Sequence, residues 1–450
     1  GTTILTPKGE HTKVLEIYPK GIKDVYKLTT SDGRSTECCE DHLWLTQTFE
    51  DKKRKRKGSI KSTREIINTL TRKFSWTKKT SPNHYLPKIS AVSFNKKQLD
   101  IPPYTLGVLL GDGHFGEGIS FASIDKEIVN KVSDQISNLD CRLKNIHNSI
   151  SYYISSSSEN NKPAKKVIIT DTKTGIETIY PRIGEALKIL DINRSSLHHR
   201  CMTQYNNKQF SYRFASEATE YSTNPIKNAI YKMGLLGKRA WEKYIPKEYL
   251  YGLEWEDRLE LLRGLMDTDG NCKTNGEACF TTTSKLLAGD IVEIVRSLGG
   301  RATIGTRDRT STNRYSMINN REVKSKRLCY TVYIGLPETI NPFYLSRKAS
   351  RYRSSYMHLT AIKSIEYVGK KEVQCIKIED SEHLYITDDY IVTHNTLSDK
   401  LEPWAKPVYD NLSYILKDEE SPDPKDSKAE YLFESKKIEV APFTYLRGRS

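Results

Sequence analysis

The stretch Leu261-Leu262-Arg263-Gly264-Leu265-Met266-Asp267-Thr268-Asp269-Gly270 decides how the chain is organised. Apolar residues recur at helical spacing, which predicts a helix with one apolar face, at Leu259, Leu262, Leu265 and Met266. Gly264 costs such a helix ~1 kcal/mol relative to alanine, so it indicates close approach by another backbone. The predicted helix ends at Asp269, where the helix dipole is already negative. A carboxylate in that place becomes favourable when it binds a metal cation.

A second copy of the pattern lies upstream, in Leu106-Gly107-Val108-Leu109-Leu110-Gly111-Asp112-Gly113. A strand-like and then a helical segment follow each copy, and the sequence therefore predicts an internal duplication of helix, acid, strand and helix. Two such helices packed at their glycines would bring Asp112 and Asp269 together. Paired carboxylates that hold divalent metal commonly run phosphodiester hydrolysis, although a single Asp-Gly pair is more often a hairpin turn.

Both stretches resemble the two LAGLIDADG motifs of a homing endonuclease, and residues 224–246 resemble the segment that precedes the second motif in inteins. The resemblance implies that Asp112 and Asp269 are catalytic metal ligands, with Gly111 and Thr268 in the same metal site and Mg²⁺ as the cofactor. It implies a pseudo-two-fold αββαββα endonuclease that cuts both strands of double-stranded DNA at a long specific site.

The first motif departs from the family pattern, because Leu110 stands where the second motif has Asp267. The family also leads us to expect a lysine near the metals. The sequence does not fix which lysine this is, although Lys326 stands at the start of a strand-like segment.

The composition indicates a basic protein of two or three domains. The 450 residues carry a formal net charge of +15, which favours a nucleic-acid partner. No apolar run approaches the ~20 residues of a membrane span and no signal peptide is visible, so we expect the protein in the cytoplasm of a bacterial or phage-infected cell. We also expect a monomer. The eight cysteines show no CxxC spacing and are interpreted as reduced thiols.

The two ends of the chain resemble the splicing blocks of an intein. Residues 1–6 resemble that family's first block without its opening residues. His42 matches the histidine of the Thr-x-x-His block, and Cys39 stands in the threonine position. Residues 361–396 resemble the two carboxy-terminal blocks, whose characteristic positions are Cys375, His383, His394, Asn395 and Thr396.

These residue types suit the chemistry that the resemblance implies. The side-chain amide of Asn395 can attack its own carbonyl, which forms a succinimide and breaks the chain after that residue. His394 can protonate the leaving group or polarise the carbonyl, and His383 can deprotonate the attacking amide. The hydroxyl of Thr396 can take over the upstream acyl group.

The upstream half of the splicing reaction is incomplete in this sequence. His42 would destabilise the upstream scissile amide, and Cys375 stands where the family carries Asp or Cys. The family's first residue, a Cys or Ser nucleophile, would lie a few residues before Gly1, so the chain looks processed or truncated. We therefore expect cleavage after Asn395 at most.

The charge changes after Asn395. Residues 396–450 carry nine basic and eleven acidic residues, a net of −2, whereas the preceding part carries a net of +17. Residues 396–412 and 438–449 resemble PhoH-type P-loop ATPases, so this segment is interpreted as part of a host protein. The family's phosphate-binding loop and magnesium-binding motif are absent from the sequence, and we expect no ATP hydrolysis by this chain.

A further insertion separates the two motif halves. A hairpin, two short helices and an aromatic strand are predicted there, with one small core from Ile183, Ala186, Leu187, Leu190, Ile192 and Leu197. The two helices are predicted to form a helix-turn-helix. Its second helix would offer polar groups to DNA, namely Arg194, Ser195, Ser196, His198, His199 and Arg200. The segment resembles small DNA-binding modules of intron- and intein-encoded nucleases. For His198 and His199, a solvated helix face without a role is the alternative.

The predicted fold class is α+β and multidomain. A β-rich Hint-type splicing domain, split in sequence, comprises residues 1–95 and 357–395. The LAGLIDADG halves are residues 101–160 and 222–350, the inserted helix-turn-helix module is 164–216, and the partial PhoH-like segment is 396–450. The basic run at residues 52–57 is either a solvated loop or a phosphate contact.

Two other functions remain open from the sequence. The nuclease would be a catalytically dead DNA-binding relic if variants of Asp112 and Asp269 behaved like the wild type. The chain would act mainly as a self-cleaving precursor of a PhoH-like ATPase if its chief reaction were the break after Asn395.

Overall fold

The computed structural model describes residues 2–73, 79–116, 118–145, 149–157, 167–180, 183–190, 192–203, 209–214, 224–308, 316–318, 321–323, 327–354 and 358–395. The chain divides into two compact units. The first, here called the split unit, comprises residues 1–90 and 358–450, and the second, the inserted unit, comprises residues 91–357. Thr396, the PhoH-like segment 396–450 and Lys326 lie outside the described residues.

The split unit is rich in strands, numbered here along the chain. They are β1 (Thr3–Leu5), β2 (His11–Thr30), β3 (Ser35–Cys39), β4 (Leu43–Thr48), β5 (Ser59–Ser62), β6 (Thr71–Lys73), β7 (Thr80–Pro82), β8 (His84–Pro87), β22 (Leu359–Ile378), β23 (Leu384–Thr387) and β24 (Ile391–His394). Two short helices, α1 (Phe49–Lys53) and α2 (Thr63–Asn68), each begin with a capping box, from Thr48 and Ser62 respectively.

Strands from both ends of the chain build one sheet of the split unit. Its main order is β1-β2-β22-β8-β4-β24-β23, with β3 paired to β2 and β5 paired to β4. Strands β2 and β22 run antiparallel over their lengths, from Val14 opposite Ile378 to Thr30 opposite Ile362. A shared core lies beneath them, formed by Leu28, Cys38, Trp44, Ile66, Leu86, Ile362 and Ile391.

The inserted unit repeats one topology twice. The first copy is α3 (Pro103–Asp112), β9 (Gly113–Phe115), β10 (Ile119–Ala122), α4 (Lys126–Ser137), β11 (Cys141–Asn145) and β12 (Ser151–Ser156). The second is α9 (Trp255–Thr268), β16 (Gly270–Cys272), β17 (Ala278–Thr282), α10 (Lys285–Ser297), β18 (Arg301–Arg307) and β21 (Cys329–Gly335). The sheet orders β9-β10-β12-β11 and β16-β17-β21-β18 correspond strand for strand. The predicted duplication is confirmed.

Shorter elements complete this unit. They are α7 (Pro225–Lys232), α8 (Lys247–Tyr251), α11 (Ser346–Ala349) and the hairpin β19 (Ser316–Ile318) with β20 (Arg321–Val323). One large core joins the two copies, because buried residues of α3, α4, α9 and α10 belong to a single apolar cluster.

Helices α3 and α9 pack directly on each other at their glycines. A Cβ at Gly107 would overlap the Leu261 carbonyl oxygen, and a Cβ at Gly264 would overlap the Tyr104 carbonyl oxygen. The predicted close approach at Gly264 is therefore confirmed. It allows two apolar helices to touch along their backbones, which a side chain at either position would prevent.

A small module lies between the two copies. It contains β13 (Val167–Asp171), β14 (Glu177–Tyr180), α5 (Ile183–Leu190), α6 (Arg194–Met202) and β15 (Phe210–Phe214), with sheet order β14-β13-β15. Ala186 and Leu197 lie in its core, and Leu187, Leu190 and Ile192 pack against that core. The side chain of Ile183 lies outside the described residues. No helix in the described ranges is long and apolar enough to cross a membrane.

Candidate functional site

The two acids of the repeated motif stand at neighbouring helix ends. Helix α3 ends at Asp112, and Asp269 is the C-cap of α9. A Cβ at Gly111 would overlap the Thr268 side chain, so the two helices are still in contact one residue before the acids. Both acids keep solvent-exposed surface. Nevertheless, partial desolvation and then the charge of Asp112 raise the pKa of Asp269 to about 6, and desolvation also raises the pKa of Asp112.

Each of these helix ends is capped by a lysine that the sequence analysis did not assign. The Lys243 ammonium donates to the carbonyls of Leu109, Leu110, Gly111 and Gly113 at 3.1, 3.0, 3.1 and 2.8 Å. The Lys348 ammonium donates to the corresponding carbonyls of Met266, Asp267, Thr268 and Gly270 at 2.9, 2.7, 3.2 and 2.6 Å. The duplication thus extends to the two lysine ammonium groups, which complement the negative ends of the helix dipoles.

The lysines lie within the electrostatic range of the acids. Burial lowers the pKa of Lys243 to about 8, against the opposing charges of Asp269 and Asp112. Burial also lowers the pKa of Lys348. For Lys243 there is one usable sequence signal, because it begins the Lys-Tyr-Ile-Pro segment that resembles the lead-in to the second motif. Lys348 has no matching repeat around it.

The donor set at these helix ends fits a hard divalent cation. Two exposed carboxylates, Asp112 and Asp269, stand next to main-chain carbonyl oxygens of Gly111 and Thr268. Across the described ranges, no three His, Cys, Asp or Glu side chains are grouped so as to hold a metal ion. Mg²⁺ commonly binds one or two carboxylates and completes its coordination with water and substrate phosphates, so two acids are sufficient for this class of site.

The two sheets present matching polar faces. On each sheet a row of cross-strand partners points away from the buried apolar positions such as Phe121 and Phe280. The first row is His114, Ser120, Tyr153 and Lys144. The second is Asn271, Tyr333 and Thr303, with the buried Cys279 opposite Asn271 and Tyr333. Tyr153 and Tyr333 occupy equivalent strands and are both exposed, 39% and 40%.

The predicted DNA-contacting helix of the small module is α6. Ser195 and His199 are exposed on it, and Ser196 is half-buried with its backbone amide bonded to the Asn193 side chain. Arg200 is half-buried and donates to the hydroxyl of Tyr212, so its guanidinium packs on the module itself. The side chains of Arg194 and His198 lie outside the described residues.

A second polar cluster lies in the split unit. His42 Nε2 forms a hydrogen bond with the Thr393 hydroxyl, and its ring meets Trp44 edge to face. Burial, and secondarily His394, lower the pKa of His42 to about 4, so the imidazole is neutral near pH 7. Thr393 was not singled out from the sequence, where it is one of many strand threonines.

Asn395 lies buried between two histidines of this cluster. His394 Nδ1 donates to the Asn395 carbonyl at 2.5 Å, and the Asn395 side-chain amide donates to His383 Nδ1 at 3.5 Å. The Asn395 backbone amide also donates to the His383 carbonyl at 2.9 Å. The buried Oδ1 of Asn395 has no hydrogen-bond partner in the described part of the chain. The side-chain nitrogen is held by His383.

Two predicted thiols lie at the edge of this cluster. Burial raises the pKa of Cys39, a hydrogen bond from the Asp41 backbone amide opposes the rise, and Cys375 adds to it. Tyr385, which the sequence analysis did not select, has its pKa raised by burial and by Cys375. His383 has a left-handed backbone, φ 56°, which costs a non-glycine residue about 1 kcal/mol.

Sequence comparisons match separate parts of the chain. A LAGLIDADG-like domain matches residues 256–328, and a PhoH-like protein matches residues 357–450. The chain is 24% identical to the replicative DNA helicase DnaB of Mycobacterium intracellulare over 421 residues, which cover 88% of this chain and 54% of DnaB. It is 30% identical to protein RecA of Mycobacterium bovis over 125 residues, 27% of this chain and 16% of RecA. The chain thus spans about half the length of DnaB and less of RecA.

Two solved structures of the homing endonuclease I-DmoI are also similar. Mesophilic variants of I-DmoI share 11% identity with a TM-score of 0.24, over 53% of this chain and 89% of theirs. I-DmoI in complex with DNA and Mn shares 14% identity with a TM-score of 0.18, over 52% and 89%. These scores are too low to define a common fold. From the family matches, the chain contains a LAGLIDADG-like domain and a PhoH-like domain.

Proposed function

We propose that the inserted unit is a homing endonuclease that makes metal-dependent double-strand cuts in DNA. One observation carries this proposal: two acids stand at neighbouring helix ends, and a lysine caps each end with four carbonyl bonds. The duplicated site matches a substrate with two strands. Both halves belong to one chain, so a monomer suffices.

Each group has a role in phosphodiester hydrolysis. Asp112 and Asp269 would hold Mg²⁺, with Gly111 and Thr268 beside them, and bound Mg²⁺ would supply positive charge and an activated water. Lys243 and Lys348 are buried and bonded to the helix-end carbonyls, so they would act through space, offsetting the negative charge of the two acids and of the phosphate. The polar sheet faces and the exposed Ser195 and His199 offer hydrogen bonds to DNA, while the net charge of +15 supplies attraction to its backbone.

We further propose that the split unit is an intein splicing domain within a PhoH-like host. The Asn395 amide nitrogen attacks the Asn395 carbonyl carbon and forms a succinimide, while the Asn395–Thr396 bond breaks and the Thr396 nitrogen gains a proton. His394 polarises the attacked carbonyl from 2.5 Å, and His383 accepts the proton of the attacking nitrogen. Similarity to proteins named DnaB, RecA and PhoH-like is what an element inserted into different hosts would give.

DNA cleavage tests the first proposal. Purified protein with Mg²⁺ and linear DNA that carries the uninterrupted PhoH-like junction is expected to give a double-strand cut near the junction. EDTA, Asp112→Asn and Asp269→Asn should each remove it. Salt-sensitive binding without any cut would instead identify a DNA-binding relic.

A further inference from the structure

The segment that carries Lys348 is held by one buried carboxylate. Asp267 is 2% exposed and accepts hydrogen bonds from the backbone amides of Tyr344 and Leu345 at 3.0–3.1 Å. It also accepts from the Tyr104 hydroxyl at 2.9 Å. A carboxylate can accept all of these bonds, whereas an amide of the same size has one acceptor oxygen and would turn a donor toward a donor. The position of Lys348 therefore depends on the two acceptor oxygens of Asp267.

Further contacts fix the same segment within the inserted unit. Ser346 bonds Glu127 through its amide and hydroxyl at 3.0 and 2.6 Å, and Arg347 makes a bidentate pair with Asp125 at 3.0 and 2.8 Å. These surface contacts surround Asp267 but are more exposed than it is. The buried carboxylate is thus the central anchor of residues 344–348.

The segment that carries Lys243 has a different anchor. Asp290 of α10 accepts from the backbone amide of Ile245 at 2.8 Å, two residues after the lysine. Ser284 donates to the carbonyl of Lys243 itself at 2.6 Å. The first motif has no acid equivalent to Asp267, because Leu110 occupies that position and is buried. Each lysine is therefore anchored by a separate aspartate.

We propose that Asp267 and Asp290 are positioning residues for Lys348 and Lys243 respectively, and that each one controls the cutting of one DNA strand. The inference rests on the proposed endonuclease function and assigns one positioning aspartate to each DNA strand. A catalytic group displaced by about 1 Å can slow a step about a hundredfold. Both lysines act electrostatically on both acids, but because their anchors are separate, the larger loss falls on one strand.

The test is strand-resolved cleavage by Asp267→Asn and Asp290→Asn. A duplex with the uninterrupted host junction carries a different fluorophore on each strand, and Mg²⁺ starts the reaction. We expect Asp267→Asn to slow one strand about tenfold or more relative to the other, the same strand that Lys348→Met slows. Asp290→Asn should slow the opposite strand. The matched control is Asp257→Asn, at the other end of α9, which should leave both strands at the wild-type rate.

A second readout does not depend on activity. Hydrogen exchange at the amides of Tyr344 and Leu345 should speed up in Asp267→Asn, while the α9 amides stay protected, which separates local release from unfolding. Equal slowing of both strands by either variant, or unchanged exchange at these amides, would overturn the inference alone. A wild-type protein that cuts neither strand would overturn the proposed function and the inference with it.

Discussion

The candidate sites of the split unit and the inserted unit differ in charge and in solvent exposure. The split-unit site is buried and neutral, with the pKa of His42 lowered to about 4 and Asn395 only 1% exposed. The inserted-unit site has two exposed carboxylates, backed by two buried ammonium groups. A rearrangement of the chain's own amide needs close contacts and no solvent. Hydrolysis of an external polyanion needs accessible charge that a cation and phosphate can meet.

The two sites should be chemically independent, and Asn395→Ala gives the largest expected effect. It should abolish the chain break after residue 395, because no side-chain amide remains to attack, and leave DNA cleavage unchanged. Intact-mass measurement detects the break. The double variant Asp112→Asn with Asp269→Asn should show the reverse pattern, and coupled losses in either variant would contradict the separation.

Acid should destabilise the split unit through His84. This fully buried side chain bonds the hydroxyls of Thr46 and Thr69, and burial lowers its pKa to about 4. Between pH 4 and ~6.5 the unfolded chain binds more protons than the folded chain does. The stability that neutral His84 contributes is therefore present above pH ~6.5 and is lost, by about 3 kcal/mol, as pH falls toward 4. Hydrogen exchange of the β4 amides measures this loss. His84→Gln should remove this part of the pH dependence and leave the part due to His42, whose pKa is also lowered to about 4, whereas exposed His11→Gln should leave the dependence unchanged.

Overpacking at Gly264 should destabilise the inserted unit. Gly264→Ala puts a methyl group onto the Tyr104 carbonyl, and we expect unfolding of this unit to become easier by about 1–3 kcal/mol despite alanine's better helix propensity. Exchange of the α9 amides reports it. Gly118→Ala, where a Cβ would meet Tyr153 at an ordinary 3.6 Å, is the matched control. Equal stability of both variants would contradict the packing argument.

The smallest effect is expected from a surface ion pair. Arg347 is 57% exposed and pairs with Asp125, which is 20% exposed. Arg347→Ala should lower the free energy of unfolding by less than about 1 kcal/mol, because solvent screens such pairs. Denaturant titration at low and high salt measures it, and a larger, salt-independent loss would show that the side chain acts by packing.

Local patterns were sufficient to predict the helix pair and its duplication. Gly264 in an apolar helix has few explanations other than close approach, and Asp112 and Asp269 follow from the repeat. His394 and Asn395 are adjacent in sequence, so their contact needs no knowledge of the fold. In each case the residues that form the pattern lie within one or two turns of chain, even where the contact they predict is remote, as between Gly264 and Tyr104.

The lysines and Thr393 could not be selected in this way. Lys348 reaches its carbonyls from 78–82 residues away, and Thr393 meets His42 from 351 residues away. The sequence interpretation relied on a metal alone to make an acid favourable at a helix end. The structure adds a second source of positive charge there, because each helix end binds a lysine ammonium that no pattern near that end predicts.

The register of β8 and β22 has a consequence for how such a chain changes over time. Pro87 lies opposite Leu359, so the backbone leaves the split unit and returns to it at adjacent positions of one sheet. Loop closure depends only logarithmically on length, so exchanging residues 91–357 for a turn of about ten residues would alter the closure entropy by only about 3 kcal/mol. A whole unit can therefore be gained or lost at this point for little more than the free energy of one core substitution.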